Sequence, residues 1–144
     1  MRKNFGLAAL MAVALSASAS AAAERLQYDL AFGTTNPCSG SIVSAPGTVK
    51  IAVTARNDGT YNVGFEFRGT GTDTAGGDYR VRFGGDASFA VLSSPFVFPF
   101  DGSFTGKKGA PSFDLSGLVQ VFVDGAGVPT GAFIGADGFF CTAD

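Results

Sequence analysis

No histidine occurs in the 144 residues, which removes the usual general base near neutral pH and with it Ser-His-Asp and Cys-His nucleophilic chemistry. Cys38 and Cys141 are the only thiols, and two thiols without a histidine cannot complete a tetrahedral zinc shell. Paired-carboxylate hydrolysis needs two acids facing each other across a substrate. Glu66 is the only glutamate inside a predicted strand, on the same polar face as Arg68, where an ion pair accounts for it. The run Gly69-Thr70-Gly71-Thr72-Asp73 followed by Gly77-Asp78 has the oxygen-rich character of a calcium-binding Gly-Asp repeat. Such repeats work by stacking, and a single copy reads as a turn. Asp58, Asp101, Asp124 and Asp137 each precede a glycine and are explained by turn formation. The chain therefore reads as non-enzymatic, with no catalytic residue, cofactor or metal.

Two groups of residues point to binding instead. Arg80 and Arg82, with Arg56 and Arg68 on neighbouring predicted strands, would make a carboxylate- or phosphate-binding surface if the register gathers them, and a solvated polar face if it does not. The chain also has 15 phenylalanines and no tryptophan. Phe32, Phe65, Phe67, Phe83 and Phe89 alternate as inward residues of strands do, so a core explains them. Phe96, Phe98 and Phe100 share one face, and Phe139-Phe140 puts a ring on each side of its strand. That is more aromatic surface than one face readily buries, so an apolar ligand cavity or a partner surface built from Phe96, Phe98, Phe100, Phe139 and Phe140 stands beside ordinary packing.

The elements that must position these residues are strands. Leu26, Tyr28, Leu30 and Phe32 alternate with Arg25, Gln27 and Asp29, and Val49, Ile51 and Val53 repeat the pattern. Asn57-Asp58-Gly59 then separates them from Tyr61, Val63, Phe65 and Phe67, a hairpin signature. Tyr79, Val81 and Phe83 follow, with Gly84-Gly85-Asp86 read as a turn before Phe89 and Val91. Pro95 to Phe100 is apolar on both sides and interrupted by proline, which reads as an edge strand or extended crossing. Asp101-Gly102 reads as the next turn. Leu115 to Val123 carries Val119, Val121 and Val123 on one face and Leu118, Gln120 and Phe122 on the other. Ala132 to Ile134 and Phe139 to Thr142 close the series. No stretch has helical period with caps, and the abundant glycines oppose long helices. The expectation is a single-domain, all-β antiparallel meander of about eight short strands, as an up-and-down barrel or a curved sandwich.

Compartment is legible at the N-terminus. Arg2 and Lys3 precede an apolar run from Phe5 to Leu15, and small residues lead to Ala23, so residues 1–23 read as a cleavable signal peptide and 24–144 as the mature domain. The product is expected to be periplasmic or secreted, with no lipid or membrane anchor. Losing Arg2 and Lys3 leaves eight Lys and Arg against 12 Asp and Glu, a net charge of −4. With no basic cluster beyond Lys107-Lys108, nucleic acid and anionic membrane surfaces are not expected partners. In an oxidising compartment one Cys38–Cys141 disulfide is the economical reading, two buried free thiols the alternative.

Asn36-Pro37-Cys38-Ser39-Gly40, the Gly69-Thr70-Gly71-Thr72 loop leading to Gly77-Asp78-Tyr79, and Cys141 in a closing strand together resemble a loose group of uncharacterised exported bacterial proteins. These carry an Asn-Pro-Cys-x-Gly motif near the mature N-terminus and a cysteine in the last strand. The resemblance supports pairing Cys38 with Cys141 and implies no activity. This chain departs from the group in its phenylalanine-rich middle, Phe96 to Phe113.

The leading expectation is an exported β-domain that binds an apolar small molecule or a protein partner. The alternative is a structural or surface-interaction protein that assembles through the edge segment Pro95 to Phe100. A small outer-membrane barrel is the third reading, opposed by predicted strands of five or six positions and by Asp144 at the end of the chain.

Overall fold

A computed structural model describes residues 23–142. The signal peptide expected over residues 1–23 lies outside the described residues except for Ala23. Seven antiparallel strands form one sheet in chain order: β1 (Ala23–Thr35), β2 (Ile42–Ala55), β3 (Tyr61–Asp73), β4 (Asp78–Phe89), β5 (Phe96–Lys107), β6 (Phe113–Val123) and β7 (Pro129–Cys141). The sheet curls into a half-barrel with its apolar face inward. β1 and β7 approach each other across a seam but share no ladder.

The strands are longer and fewer than the sequence suggests, because two glycine-containing segments read as turns lie inside them and two segments read separately, Ala132 to Ile134 and Phe139 to Thr142, join in one strand that ends at Cys141. Gly84-Gly85-Asp86 belongs to β4, Asp101-Gly102 to β5, and Gly135 to Gly138 to β7. The reason is spatial. Phe65 of β3 stands opposite Gly85 of β4, Phe83 of β4 opposite Gly102 of β5, and Phe100 of β5 opposite Gly117 of β6. A Cβ at Gly102 would overlap the Phe83 side chain, and one at Gly117 would lie 2.8 Å from the Ala136 Cα. Each glycine thus admits both a ring and a close neighbouring backbone, which lets the sheet coil tightly.

The interior is a packed aromatic column. Eight phenylalanines are buried, with Phe67 stacked on Phe83 at 4.7 Å and Phe104 on Phe113 at 4.5 Å between ring centroids. Burying each such ring contributes roughly 2 to 3 kcal/mol, so the column is the main source of stability.

The turns rely on aspartate side chains. Asp58 Oδ1 accepts from the Thr60 N–H at 3.0 Å, and Asp124 Oδ1 accepts from Ala126 at 2.9 Å and Val128 at 3.0 Å. Gly59 supplies the left-handed backbone (φ 85°) that the β2–β3 turn requires.

Candidate functional site

The Asn-Pro-Cys motif forms one end of the half-barrel. Cys38, in the β1–β2 loop, is bonded to Cys141 at the end of β7, tying the two sides of the seam. Asn36 is wholly buried, and its side chain is fully used: Nδ2 donates to the Tyr79 hydroxyl at 2.9 Å and the Pro111 carbonyl at 3.0 Å, while Oδ1 accepts from the Cys38 N–H at 2.8 Å. The Tyr79 hydroxyl donates in turn to Asp73 Oδ2 at 2.7 Å. That hydrogen bond, followed by the Gly77 and Ala75 N–H groups, holds the Asp73 carboxyl below its ordinary value. Burial, then the Asp73 hydrogen bond, pushes the Tyr79 phenol up. Asp73 Oδ1 accepts from Ala75 and Gly77, so the oxygens that the Gly-Asp pattern offered are engaged in the β3–β4 turn. This end is an architectural clasp.

The outward face of β2 to β4 is charged. Arg68 and Arg82 are direct cross-strand partners, and Glu66 Oε1 pairs with both, the Arg82 contact being 3.4 Å. Arg80 lies two residues further along β4, opposite Thr70 and Thr105. Arg56 stands apart at the β2–β3 turn, because β2 ends at Ala55, so the register does not gather all four arginines: Arg68 and Arg82 meet, with Arg80 beside them on an exposed face. Exposed pairs of this kind contribute about 0 to 1 kcal/mol each.

The aromatic expectation also requires correction. Phe96, Phe98 and Phe100 are core residues, at 0%, 2% and 3% exposure, and so present no outward partner surface. Phe89 covers Phe96 at 4.7 Å, and Phe100 meets Phe83 at 5.5 Å. Pro95 to Phe100 lies in an interior strand of the sheet, yet from Phe96 to Phe100 it is paired on one side only: β5 pairs with β6 from Phe96 onward, whereas its β4 ladder begins only at Asp101. Phe139 is half-buried against the core, whereas Phe140 is 59% exposed.

The outward apolar surface lies elsewhere, on β5 to β7. Leu118 is half exposed, flanked by Pro99 on β5 and by Gly135, where the Phe133 ring lies 3.7 Å from the position a Cβ would take. On the next row Val97 and Phe133 stand either side of Gln120, and Phe122 lies beyond. Phe133 is 61% exposed. The apolar outer face of β6 was visible in Leu118 and Phe122. Its extension through Val97 and Phe133 was not, because it depends on pairing register.

The chain matches no family model, no curated protein and no solved structure.

Proposed function

We propose that this chain is an exported, non-enzymatic interaction module that engages a protein partner through the outward face of β5 to β7. The observation that carries this reading is the row of exposed Val97, Leu118, Phe122 and Phe133 on a sheet whose other outward half is charged. Clustered apolar side chains facing water cost free energy unless something covers them, and a convex outer sheet face suits a protein surface better than a small molecule. Core packing favours the same choice, since the rings that would line an internal ligand cavity fill it. Export rests on the leader pattern and suits the Cys38–Cys141 bridge.

Site-specific photo-crosslinking in the full chain, expressed with its leader in a Gram-negative host, tests the proposal. A cross-linking residue at position 133 is expected to give a discrete protein adduct whose yield falls at least tenfold with Leu118→Ser and Phe122→Ser. The same residue at position 50, on the charged face, should give none. Equal adducts from both positions, or no adduct together with a co-purifying apolar small molecule in native mass spectrometry, would sink it.

A further inference from the structure

Resting on that reading, we infer that the partner presents cationic side chains beside apolar ones, a polypeptide surface in which Lys or Arg stands at one end of leucine-like knobs. The docking face supplies the complement. Its outward charges are the carboxylates Asp101, Asp114 and Asp137, one on each strand, and Lys107 at the far end of β5 is the only cation on these strands. Among the described residues none of the three carboxylates has an ion-pair partner, whereas Glu66 and Asp78 do. The three carboxylates gather at one end of the apolar rows, Asp101 level with Ser116 and Asp114 two residues beyond, and unsatisfied charge beside an apolar patch favours a partner of opposite sign.

The carboxylates are also placed to receive a side chain. A shallow depression of about 750 Å³ opens beside Pro99 and Leu118, with Asp86, Asp101 and Asp137 on its walls and glycine backbone at Gly84, Gly85 and Gly117. A lysine or guanidinium group entering there would meet carboxylates while its methylene stem lay against Leu118.

Other occupants fit less well. An anionic bilayer would be repelled by the three aspartates. Addition of a strand to β7 is opposed by two irregularities in its ladder, between Ser116 and Gly117 and between Phe122 and Val123, which break the regular spacing an added strand must match.

Two synthetic peptides with the same leucine spacing, one with lysine and one with glutamate at the polar positions, test the inference against the purified, disulfide-intact mature chain by fluorescence anisotropy. The lysine peptide is expected to bind saturably at one per chain, and the glutamate peptide at least tenfold more weakly. Leu118→Ser and Phe133→Ser should each weaken the lysine peptide about tenfold with an unchanged urea midpoint. Asp101→Asn with Asp137→Asn should weaken it severalfold and flatten its salt dependence. If the glutamate peptide binds as tightly, and Phe133→Ser weakens it, the cationic partner is overturned while docking through this face stands. If peptide binding ignores both Leu118→Ser and Phe133→Ser, the cationic inference and the docking face fall together. Binding of neither peptide overturns the cationic inference and leaves the crosslinking result to decide docking. A concentration-dependent dimer by sedimentation that Phe133→Ser abolishes would replace the cationic partner with a second copy.

Discussion

At the end of the half-barrel where β1 turns into β2, closure is covalent and polar: the Cys38–Cys141 bond crosses the seam, and Asn36 reaches from the β1–β2 loop to Tyr79 on β4 and Pro111 in the β5–β6 loop. At the opposite end the β4–β5 ladder stops at the Gly84–Asp101 pair, and the two parts of the sheet are joined by rings: Phe89 on Phe96 at 4.7 Å and Tyr61 on Phe96 at 6.2 Å. One end is thus held by directional groups that each need a particular partner, and the other by contacts that tolerate rearrangement. The contrast teaches that two gaps in one sheet can be bridged by different means, the β1–β7 seam by directional groups and the β4–β5 gap by packed rings. It also predicts that the two ends respond differently to substitution.

The largest effect should come from the clasp. Cys38→Ala with Cys141→Ala opens a loop with a sequence separation of 103 residues. In the chain-entropy account its loss costs about 4 to 5 kcal/mol, read as a fall in the urea midpoint relative to the oxidised parent. A cost below about 1 kcal/mol would mean that the polar network closes this end without the bridge. Asn36→Ala comes next. It strips the donor from the buried Tyr79 hydroxyl and from the Pro111 carbonyl, and should cost about 2 to 3 kcal/mol in the same measurement. At the packed end, Phe89→Leu should cost only about 1 to 2 kcal/mol, because leucine refills much of the space against Phe96 and Phe98. Combined with the cysteine pair, Phe89→Leu should add within about 0.5 kcal/mol, since the ends share no partner. A larger coupling energy would break the division into two independent ends.

The two ends were also unequally legible in the sequence. Both cysteines were identifiable as a clasp from composition and compartment, and Asn36 lay in a motif, but its function required the three loops to be assembled in space. The alternation through β2 and β3 was clear because inward and outward residues differ in kind. It blurred where glycine serves packing: Gly85 and Gly102 look like turn residues, yet each faces a phenylalanine of the preceding strand. A turn glycine and a packing glycine are the same letter, and only the partner strand distinguishes them. The candidate docking face was half legible for the same reason. Leu118, Phe122 and Phe140 could be placed outward by alternation, while Phe96, Phe98 and Phe100 had the right composition on the wrong side of the sheet.

The smallest effect is the most informative about the clasp, because it is read through pH. Tyr79→Phe removes the hydroxyl that accepts from Asn36 and donates to Asp73, at a cost near neutrality of about 1 kcal/mol. In the parent the Tyr79 phenol is raised above its ordinary 10.0, so the folded state holds that proton more tightly. Its contribution is complete below pH 10.0 and declines as pH rises through and beyond that value. Asp73 has the opposite sense. Its carboxyl is lowered from 3.8, so its contribution is present above that pH and declines as pH falls through the folded value. Tyr79→Phe should therefore flatten both limbs of the urea midpoint against pH. The acid limb should flatten only in part, because the Gly77 and Ala75 N–H groups still hold Asp73. Some alkaline slope should also persist, since burial raises Tyr28 on β1 as well, where it receives a backbone hydrogen bond from Ala132 across the seam. An alkaline limb unchanged in Tyr79→Phe would assign the effect to Tyr28 and move the pH-sensitive contact from the clasp to the seam.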